Sequence, residues 1–369
     1  MWRQVLALLI KELLTVLSDR KSRVVLIGPP LIQLMVFGYA ATFDLNKVPI
    51  AIYNQDRSAA SRDLVAHFTG SPTFNVVANL KSEKPIDDLI DSREVRMVLV
   101  IDPRFTRNLL SGHPAPVQMI VDGRNSNTAL LIQGYANNIL NDYALAWNAR
   151  KGAPPPPAVL DMRARFNPTL DSHWFIVPGI IALLTQLVTL LIVGMSVARE
   201  RETGTFDQLL VTPLRQFDIL LGKGLPSLLI GGIEATVIIA ATVWWFDIPL
   251  RGELLALYFG LLLFVVSVTG IGLMISSLAV TQQQALLGAF LFMVPSVILS
   301  GFATPIANMS EWVQYLTFIN PMRYFLIIVR KVFLEGADFS ALTAQYWPMA
   351  VIGLVTLITA AWLFRKRLS

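Results

Sequence analysis

Three polar side chains interrupt long apolar stretches of this sequence, and their placement suggests a chemical role. Gln33 and Gln186 each stand inside an apolar run, and Glu234 lies near the middle of another. A polar or ionisable group deep in a bilayer is costly, so it usually faces a protein interior or a water-filled cavity. These residues are therefore predicted to line a pathway, with Glu234 favouring cationic amphiphiles. The alternative is that they form hydrogen bonds between helices.

The other reactive residue types show no catalytic or metal-binding pattern. The chain has no cysteine, which excludes disulfides and thiolate metal sites. Its histidines, His67, His113 and His173, lie far apart and lack the spacing of metal ligands. The fragment "GKGLPS" (222–227) lacks the glycine spacing and the Ser or Thr of a phosphate-binding loop. We therefore predict no enzyme activity, no metal site and no cofactor on this chain.

The composition is that of a membrane-embedded protein. Of 369 residues, 54% are hydrophobic and 15% are charged, and the mean hydropathy is +0.58. Several apolar runs reach the roughly 20 residues needed to cross a hydrocarbon core of about 30 Å. The net charge of +5 comes without a basic cluster interleaved with aromatic residues, so no nucleic-acid partner is predicted. Six spans are predicted, at 24–43, 174–197, 225–246, 254–280, 285–303 and 345–364.

The distribution of Lys and Arg predicts the orientation of these spans. Basic residues concentrate in residues 1–23, in the loop 198–224 and in the tail 365–369. Because short cytoplasmic segments carry the excess of Lys and Arg, both termini and this loop are predicted to be cytoplasmic. Residues 1–23 are predicted to form an amphipathic helix on the inner membrane surface, or one packed on the protein itself. Its apolar stripe comprises Trp2, Val5, Leu6, Leu9, Leu13 and Leu17.

Residues 44–172 have a different composition and are predicted to be an inserted extracytoplasmic α/β domain. Strands rich in β-branched residues are predicted at 48–54, 74–80, 95–101 and 116–123, with helical patterns between and after them. Such alternation is typical of a sheet covered by helices. A fifth strand is possible at 158–166. The polar run "DGRNSN" (122–127) favours a strand end, a turn and a helix cap over a ligand site.

The cytoplasmic segment 198–222 combines charge with signals of a specified structure. Gly204 is a natural residue to follow a helix, and Thr205 with Gln208 has the form of a capping box. Phe206, Leu209 and Leu210 then fall on one helical face. A further helix, 213–222, would begin at Pro213 and lead into the third span. From these residues alone, the apolar face could equally contact lipid or the chain itself.

The stretch "ARERETGTFDQLLVTPL" (198–214) resembles the cytoplasmic coupling region of ABC-2 type transporter permeases. The resemblance extends over the whole chain, through "KEL" (11–13), "DGRNSN", "SSLAVTQQQA" (276–285) and the segment 295–325. The ordered set of motifs resembles the YhhJ/YbhR/YbhS group of bacterial drug-export permeases. The fold implied is a polytopic α-helical membrane protein with six transmembrane helices, like a type V exporter, carrying the inserted external domain.

The resemblance implies roles for particular residues. The segment 305–335 would form a pair of external re-entrant helices that close an outer gate, with Asn320, Pro321 and Arg323 in the turn between them. A second, smaller ATPase contact would involve Thr281, Gln282, Gln283 and Gln284. Contact with an ATPase and positioning of the coupling helix would fall to Arg199, Glu200, Arg201, Glu202, Gly204, Thr205, Phe206, Gln208, Leu209, Leu210 and Pro213.

The resemblance also implies a function and an assembly. The chain would be the permease subunit of an exporter in the bacterial inner membrane, moving drugs or other hydrophobic compounds outward. ATP and Mg²⁺ would be bound by separate ABC ATPase subunits. Six spans are half of the usual twelve, so a second copy or a related permease is expected. A periplasmic adaptor protein could dock on the external domain, and membrane lipid surrounds the spans.

Two other function classes remain open from the sequence. An ion-coupled secondary transporter would need further carboxylates as proton relays, whereas Glu234 is the acidic residue placed deep in a predicted span. A non-transporting anchor or sensor would use the spans only to present the external domain. Both leave the coupling segment unexplained, so the exporter is the preferred hypothesis.

Overall fold

In the computed structural model the chain is mostly helical and divides into two compact units. The helical unit comprises residues 1–42 and 164–369, and the α/β unit comprises 43–163. The structure describes residues 2–18, 20–40, 45–152, 163, 165–168, 171–205 and 216–366. The possible fifth strand at 158–166 falls largely outside these residues, and the ones described there form no strand.

The α/β unit contains β1 (Val48–Asn54), α3 (Ala59–Thr69), β2 (Phe74–Asn79), α4 (Pro85–Asp91), β3 (Met97–Ile101), α5 (Phe105–Leu110), β4 (Val117–Val121) and α6 (Ser126–Arg150). The helical unit contains α1 (Trp2–Ser18), α2 (Arg20–Ala40), α7 (His173–Glu202), α8 (Gln216–Trp244), α9 (Leu254–Leu278), α10 (Gln282–Leu299), α11 (Glu311–Leu316), α12 (Pro321–Arg330) and α13 (Thr343–Lys366). Each of the four predicted strands therefore lies within two residues of an observed one.

The sheet of the α/β unit has the order β2-β1-β3-β4 and is covered on both faces. β1 pairs in parallel with β2 and β3, and β4 is antiparallel to β3. Ile50 and Ile52 pack in the cluster that includes Leu64 of α3 and Ile132 of α6. Ala51, on the opposite face of β1, packs with Ile86 of α4 and with other residues of a second cluster. This two-sided burial explains why the strands are so apolar.

The "DGRNSN" run ends β4 and starts α6, as the capping interpretation predicts. Asn125 is the N-cap of α6, and its side chain accepts a hydrogen bond from the Thr128 amide. Asp122 is buried and pairs with Arg124 at 2.8 Å and with Arg96 at 3.1 Å. The Arg124 guanidinium holds the pKa of Asp122 well below its usual range. These polar groups thus satisfy one another and the helix end.

Five helices among the described residues are long and apolar enough to cross a membrane. They are His173–Glu202, Asp218–Trp244, Leu254–Leu278, Gln282–Leu299 and Ser340–Lys366, and they correspond to the second to sixth predicted spans. The predicted first span, 24–43, coincides with most of α2 and ends in residues outside the described part. The separate helix expected at 213–222 is not a distinct element, since α8 runs unbroken from Gln216 to Trp244.

Helix α7 forms the centre of the helical unit, and α9 and α13 form its closest helix pair. α7 is buried along most of its length and packs against α2, α8, α9, α10 and α12. Between α9 and α13, Ser267 Oγ donates to the Met349 carbonyl at 2.9 Å. A Cβ added at Gly270 would lie 3.0 Å from the backbone nitrogen of Leu357. Glycine at this position is what allows the two backbones to approach, as small residues do in membrane helix pairs.

Proline is distributed unevenly among the five apolar helices. Pro178 lies inside α7, Pro226 inside α8, Pro295 inside α10 and Pro348 inside α13. α9 contains none. An interior proline removes one backbone hydrogen bond and crowds the preceding turn, so it favours a bend.

Helix α1 packs on the protein by a face that overlaps the predicted stripe only in part. Among its described side chains Val5, Leu8 and Glu12 are buried, and Val5 belongs to the predicted stripe, whereas Leu6 of that stripe is 53% exposed. Leu8 contacts Gly222 of α8 so closely that a Cβ there would lie 2.7 Å from the Leu8 Cβ. The burial of Glu12 was not predicted, because the residue it pairs with, Lys223, lies far away along the chain. Leu6, Ile10 and Leu14 leave an apolar strip exposed along the other side.

The segment after α10 consists of short helices, not one span. α11 and a 3-10 turn (Thr317–Ile319) precede α12, which is followed by a π-helical turn (Lys331–Glu335). Asn320 is the N-cap of α12, Pro321 is its first residue, and Arg323 hydrogen-bonds to the Thr317 hydroxyl. Phe325 stacks on Phe264 of α9 with ring centroids 4.5 Å apart. The polar residues of the turn thus have structural roles.

Candidate functional site

A largely buried charge cluster joins α1 to α7 and α8, the helices between which residues 206–215 lie in the sequence. The Nζ atom of Lys223, on α8, lies 2.6 Å from Glu200 Oε2 on α7 and 3.1 Å from Glu12 Oε1 on α1. Lys11 of α1 approaches the other Glu200 oxygen at 2.7 Å. We call Lys11, Glu12, Glu200 and Lys223 the four-charge cluster. Its two positive and two negative side chains balance, which is the condition under which buried charges are tolerated.

Close packing at Gly222 brings the cluster together. Because Gly222 has no side chain, Leu8 can rest on α8, and Glu12 then reaches Lys223, whose side chain is fully buried. The Ser196 hydroxyl, one turn before Glu200, donates to Glu12 Oε2 at 3.3 Å. The N-terminal helix is thereby fixed to the end of α7 and to the start of α8, the two helices that flank the predicted coupling segment.

The last turn of α7 is also held to the turn between α9 and α10. Arg201 Nη1 donates to the carbonyls of Ser277 at 2.8 Å and Ala279 at 3.1 Å. Glu202 Oε2 accepts from the backbone and side-chain nitrogens of Gln282, at 2.9 and 3.1 Å. These contacts connect the two turns that are predicted to be cytoplasmic and to meet an ATPase.

Most of the residues predicted as a second contact are engaged in local structure. Thr281 is the N-cap of α10 and accepts from the Gln284 amide, while Gln284 Oε1 accepts from the Val280 amide. This arrangement resembles a capping box, except that the glutamine accepts from the residue before the N-cap and not from the N-cap amide itself. Gln282 holds Glu202, and Gln283 is exposed. Gln283 is therefore the member of this group whose side chain is best placed to meet a partner.

The predicted coupling residues divide into those that the structure describes and those that it does not. Arg199, Glu200, Arg201 and Glu202 form the final turn of α7, which ends before Gly204 with its left-handed φ of 70°. Thr205 donates to the Glu200 carbonyl. Phe206, Gln208, Leu209, Leu210 and Pro213 lie outside the described residues. Glu200 and Arg201 bind the chain itself, so their part is to position this region.

The three predicted pathway residues do not share one cavity. Gln186 is fully buried and accepts from Ser296 Oγ at 3.3 Å, and Ser296 in turn bonds to Asn320. Glu234 borders a cavity of about 340 Å³ whose lining residues come from α2, α7 and α8. Within the described residues, neither Glu234 oxygen nor Gln33 Oε1 has a hydrogen-bond partner. Gln186 Oε1 bridges α7 to α10, whereas Gln186 Nε2 and both Glu234 oxygens have no partner among the described residues.

Sequence reasoning missed Glu12, Ser196 and Lys223 as site residues. In the sequence, Lys223 counts toward the positive charge of the loop predicted to be cytoplasmic, and such a lysine is expected to be solvated. In the structure its side chain is buried. The available signal was the placement of Lys223 between Gly222 and Gly224, at the start of a long apolar stretch. A lysine so placed needs a carboxylate partner, and Glu12 interrupts the apolar pattern of α1 in the same way.

Comparison with known proteins identifies the family. The model of the ABC-2 family transporter proteins matches residues 24–362. The chain is 38% identical over 368 residues to the probable multidrug ABC transporter permease YbhR of Escherichia coli, covering 100% of both chains. It is 32% identical over 373 residues to the probable multidrug ABC transporter permease YbhS of that organism, covering 99% of this chain and 97% of YbhS. With the linearmycin resistance permease protein LnrN of Bacillus subtilis it shares 22% identity, over 91% of this chain and 92% of LnrN. The chain therefore belongs to the ABC-2 family of transporter proteins.

Proposed function

We propose that this chain is the membrane-spanning permease subunit of an ABC exporter that moves drugs or other amphiphilic compounds outward. The four-charge cluster is the observation that carries the proposal. It joins α1, α7 and α8 at the helix ends that flank the predicted coupling segment, and such a joint suits a subunit that receives force from an ATPase. The named multidrug permeases among its relatives support the substrate class.

The proposed assembly combines this chain with a second permease chain and with separate ATPase subunits. Six spans, with α2 as the first, place both termini on the cytoplasmic side and the α/β unit outside. Two permease chains, identical or related, pair with ATPase subunits that bind ATP and Mg²⁺. We assign the main ATPase contact to predicted coupling residues outside the described part of the chain, and a smaller contact to Gln283. The former are Phe206, Gln208, Leu209, Leu210 and Pro213. A periplasmic adaptor docks on the α/β unit, and the segment 305–335 closes the outer end.

Affinity purification from the native membrane in mild detergent tests the ATPase partnership. We expect a stoichiometric P-loop ATPase to accompany the chain, and Phe206→Asp to remove it, because a charge on the predicted apolar face cannot be buried in a partner without large cost. Val77→Asp changes an exposed valine in the α/β unit and serves as the matched control. A folded preparation without ATPase would instead favour the anchor or secondary-transporter hypothesis.

Glu234 is the residue we propose to select cationic substrates at the cavity between α2, α7 and α8. Glu234→Gln keeps the shape of the side chain and removes its capacity for charge. We expect export of a cationic amphiphile to fall severalfold more than export of a neutral analogue, measured as intracellular accumulation of the two compounds. The control is Gln186→Leu, which removes a buried hydrogen bond to Ser296 but no ionisable group. Equal losses for both compounds in Glu234→Gln would contradict the proposal.

A further inference from the structure

A second, larger groove runs along the helical unit between α8 and α13, with α9 as its floor. It encloses about 400 Å³, within the range of roughly 300–1,000 Å³ typical of small-ligand sites. Leu221, Leu225 and Leu228 form one wall, and Leu354, Ile358 and Ala361 form the other. Leu354 and Ile358 are 62% and 60% exposed, so the rim lies on the outer surface of the unit. The groove is apolar and separate from the cavity beside Glu234.

The groove is about two-thirds as long as one leaflet of a bilayer is thick. From Leu354 to Ala361 is seven residues, which is about 10 Å at roughly 1.5 Å per helical residue. Half of a hydrocarbon core of about 30 Å is about 15 Å. The groove therefore extends over most of one leaflet and ends at the membrane surface where α13 ends.

Charged and aromatic residues mark that surface end. Arg365 is exposed and follows Ala361 by four residues, so it lies on the same face of α13 directly above the groove. Trp362 is exposed, and Lys366 Nζ lies 5.3 Å from its ring centroid. Tryptophan together with basic residues is typical of the membrane interface. Asp218, the acidic residue of α8 nearest this end, is buried and does not line the groove.

We propose that this groove is a binding site for an anionic phospholipid of the leaflet in which α13 ends. One acyl chain lies between Leu225 and Ile358, and the guanidinium of Arg365 binds the headgroup phosphate. A phospholipid has hydrocarbon chains followed by a negatively charged headgroup. The groove has apolar walls followed by a positive charge at its surface end, so the two are complementary. Basic residues next to a membrane attract anionic lipid by this same electrostatic term. The groove shares no lining residue with the cavity beside Glu234.

Lipid exchange followed by native mass spectrometry tests this site. The purified chain, stripped of lipid, is offered equal amounts of phosphatidylglycerol and phosphatidylcholine with identical acyl chains. We expect one phosphatidylglycerol to be retained about fivefold more than phosphatidylcholine, the preference that one basic contact supplies. Arg365→Gln should abolish that preference, and Ala361→Trp, which fills the groove, should abolish retention of the tightly bound lipid.

Matched variants distinguish the groove from ordinary surrounding lipid. Lys366→Gln removes the same charge from a different face of α13, and Val355→Trp adds the same ring outside the groove. Both should retain the lipid as the unchanged chain does. Equal retention of the two lipids, or an equal loss of bound lipid in each variant and its control, would overturn the proposal. The bound lipid would then be annular lipid only. Arg365 is exposed, so its variant tests the idea even where Ala361→Trp fails to fold.

Discussion

Replacing Lys223 with methionine is expected to lower the free energy of unfolding of the helical unit by about 3–5 kcal/mol. Methionine fills the space, so the loss comes from charge rather than from a cavity. Glu12 and Glu200 would remain, 8% and 6% exposed, with one positive partner fewer. Burying a carboxylate without compensation is among the largest single-residue costs in proteins. Thermal unfolding of the detergent-solubilised chain measures the effect.

Two comparisons show whether charge balance is the cause. Lys11→Met removes a cation of the same cluster whose side chain is 51% exposed, and should cost at most about 1 kcal/mol. The double variant Lys223→Met with Glu200→Gln removes opposite charges together and should recover most of the loss. If Lys223→Met and Lys11→Met proved equally mild, the four-charge cluster could not be what holds α1 to α7 and α8.

We also expect Lys223→Met to reduce export at lower temperature, where the chain still folds.

Replacing Gly270 with alanine is expected to destabilise the α9–α13 pair by about 1–3 kcal/mol, the usual cost of overpacking. The added Cβ would lie 2.8 Å from the Thr356 Cβ and 3.0 Å from the Leu357 nitrogen, so the backbone of α13 must move. Gly232→Ala is the matched control, because nothing lies within 4 Å of a Cβ there. Alanine should be neutral or stabilising at that position, since glycine weakens a helix by about 1 kcal/mol in water.

Fluorescence-detected size-exclusion chromatography after graded heating measures both glycine variants. Adding Thr356→Ala to Gly270→Ala should recover part of the stability, because it removes the Thr356 hydroxyl, the atom nearest the new methyl group. The approaches to the Thr356 Cβ and to the backbone of Leu357 would remain. Equal melting curves for Gly270→Ala and Gly232→Ala would mean that the α9–α13 contact tolerates a wider separation than the structure contains.

The apolar helices and the sheet could be predicted because their signals are local. A run such as 174–197 is long enough to cross a bilayer on hydrophobicity alone, and the strand at 48–54 ends at its turn residues. The cap at Asn125 follows from residue types within a few positions of one another. Such features need no knowledge of distant contacts, so one sequence is sufficient to locate them.

The contacts that build the site could not be predicted in the same way. Glu12 and Lys223 are separated by 211 residues. Each, taken alone, has the pattern of a solvated charge near a membrane surface. The buried face of α1 differs from the predicted stripe because Gly222 admits Leu8, and the absence of a side chain gives no signal in a hydrophobic pattern. Likewise Gln186 has the pattern of a pathway residue until Ser296, 110 positions away, is known to bond with it.

The uneven distribution of proline gives α9 a distinctive mechanical place. Four of the five apolar helices contain an interior proline at which their axes can pivot, and α9 has an uninterrupted backbone ladder. α9 also touches α7, α8, α10, α12 and α13. α9 is therefore expected to be the stiffest of the five apolar helices, and its neighbours α7, α8, α10 and α13 are expected to bend more easily at their prolines. Relative motion within the helical unit is then expected to occur by bending of those four helices around α9.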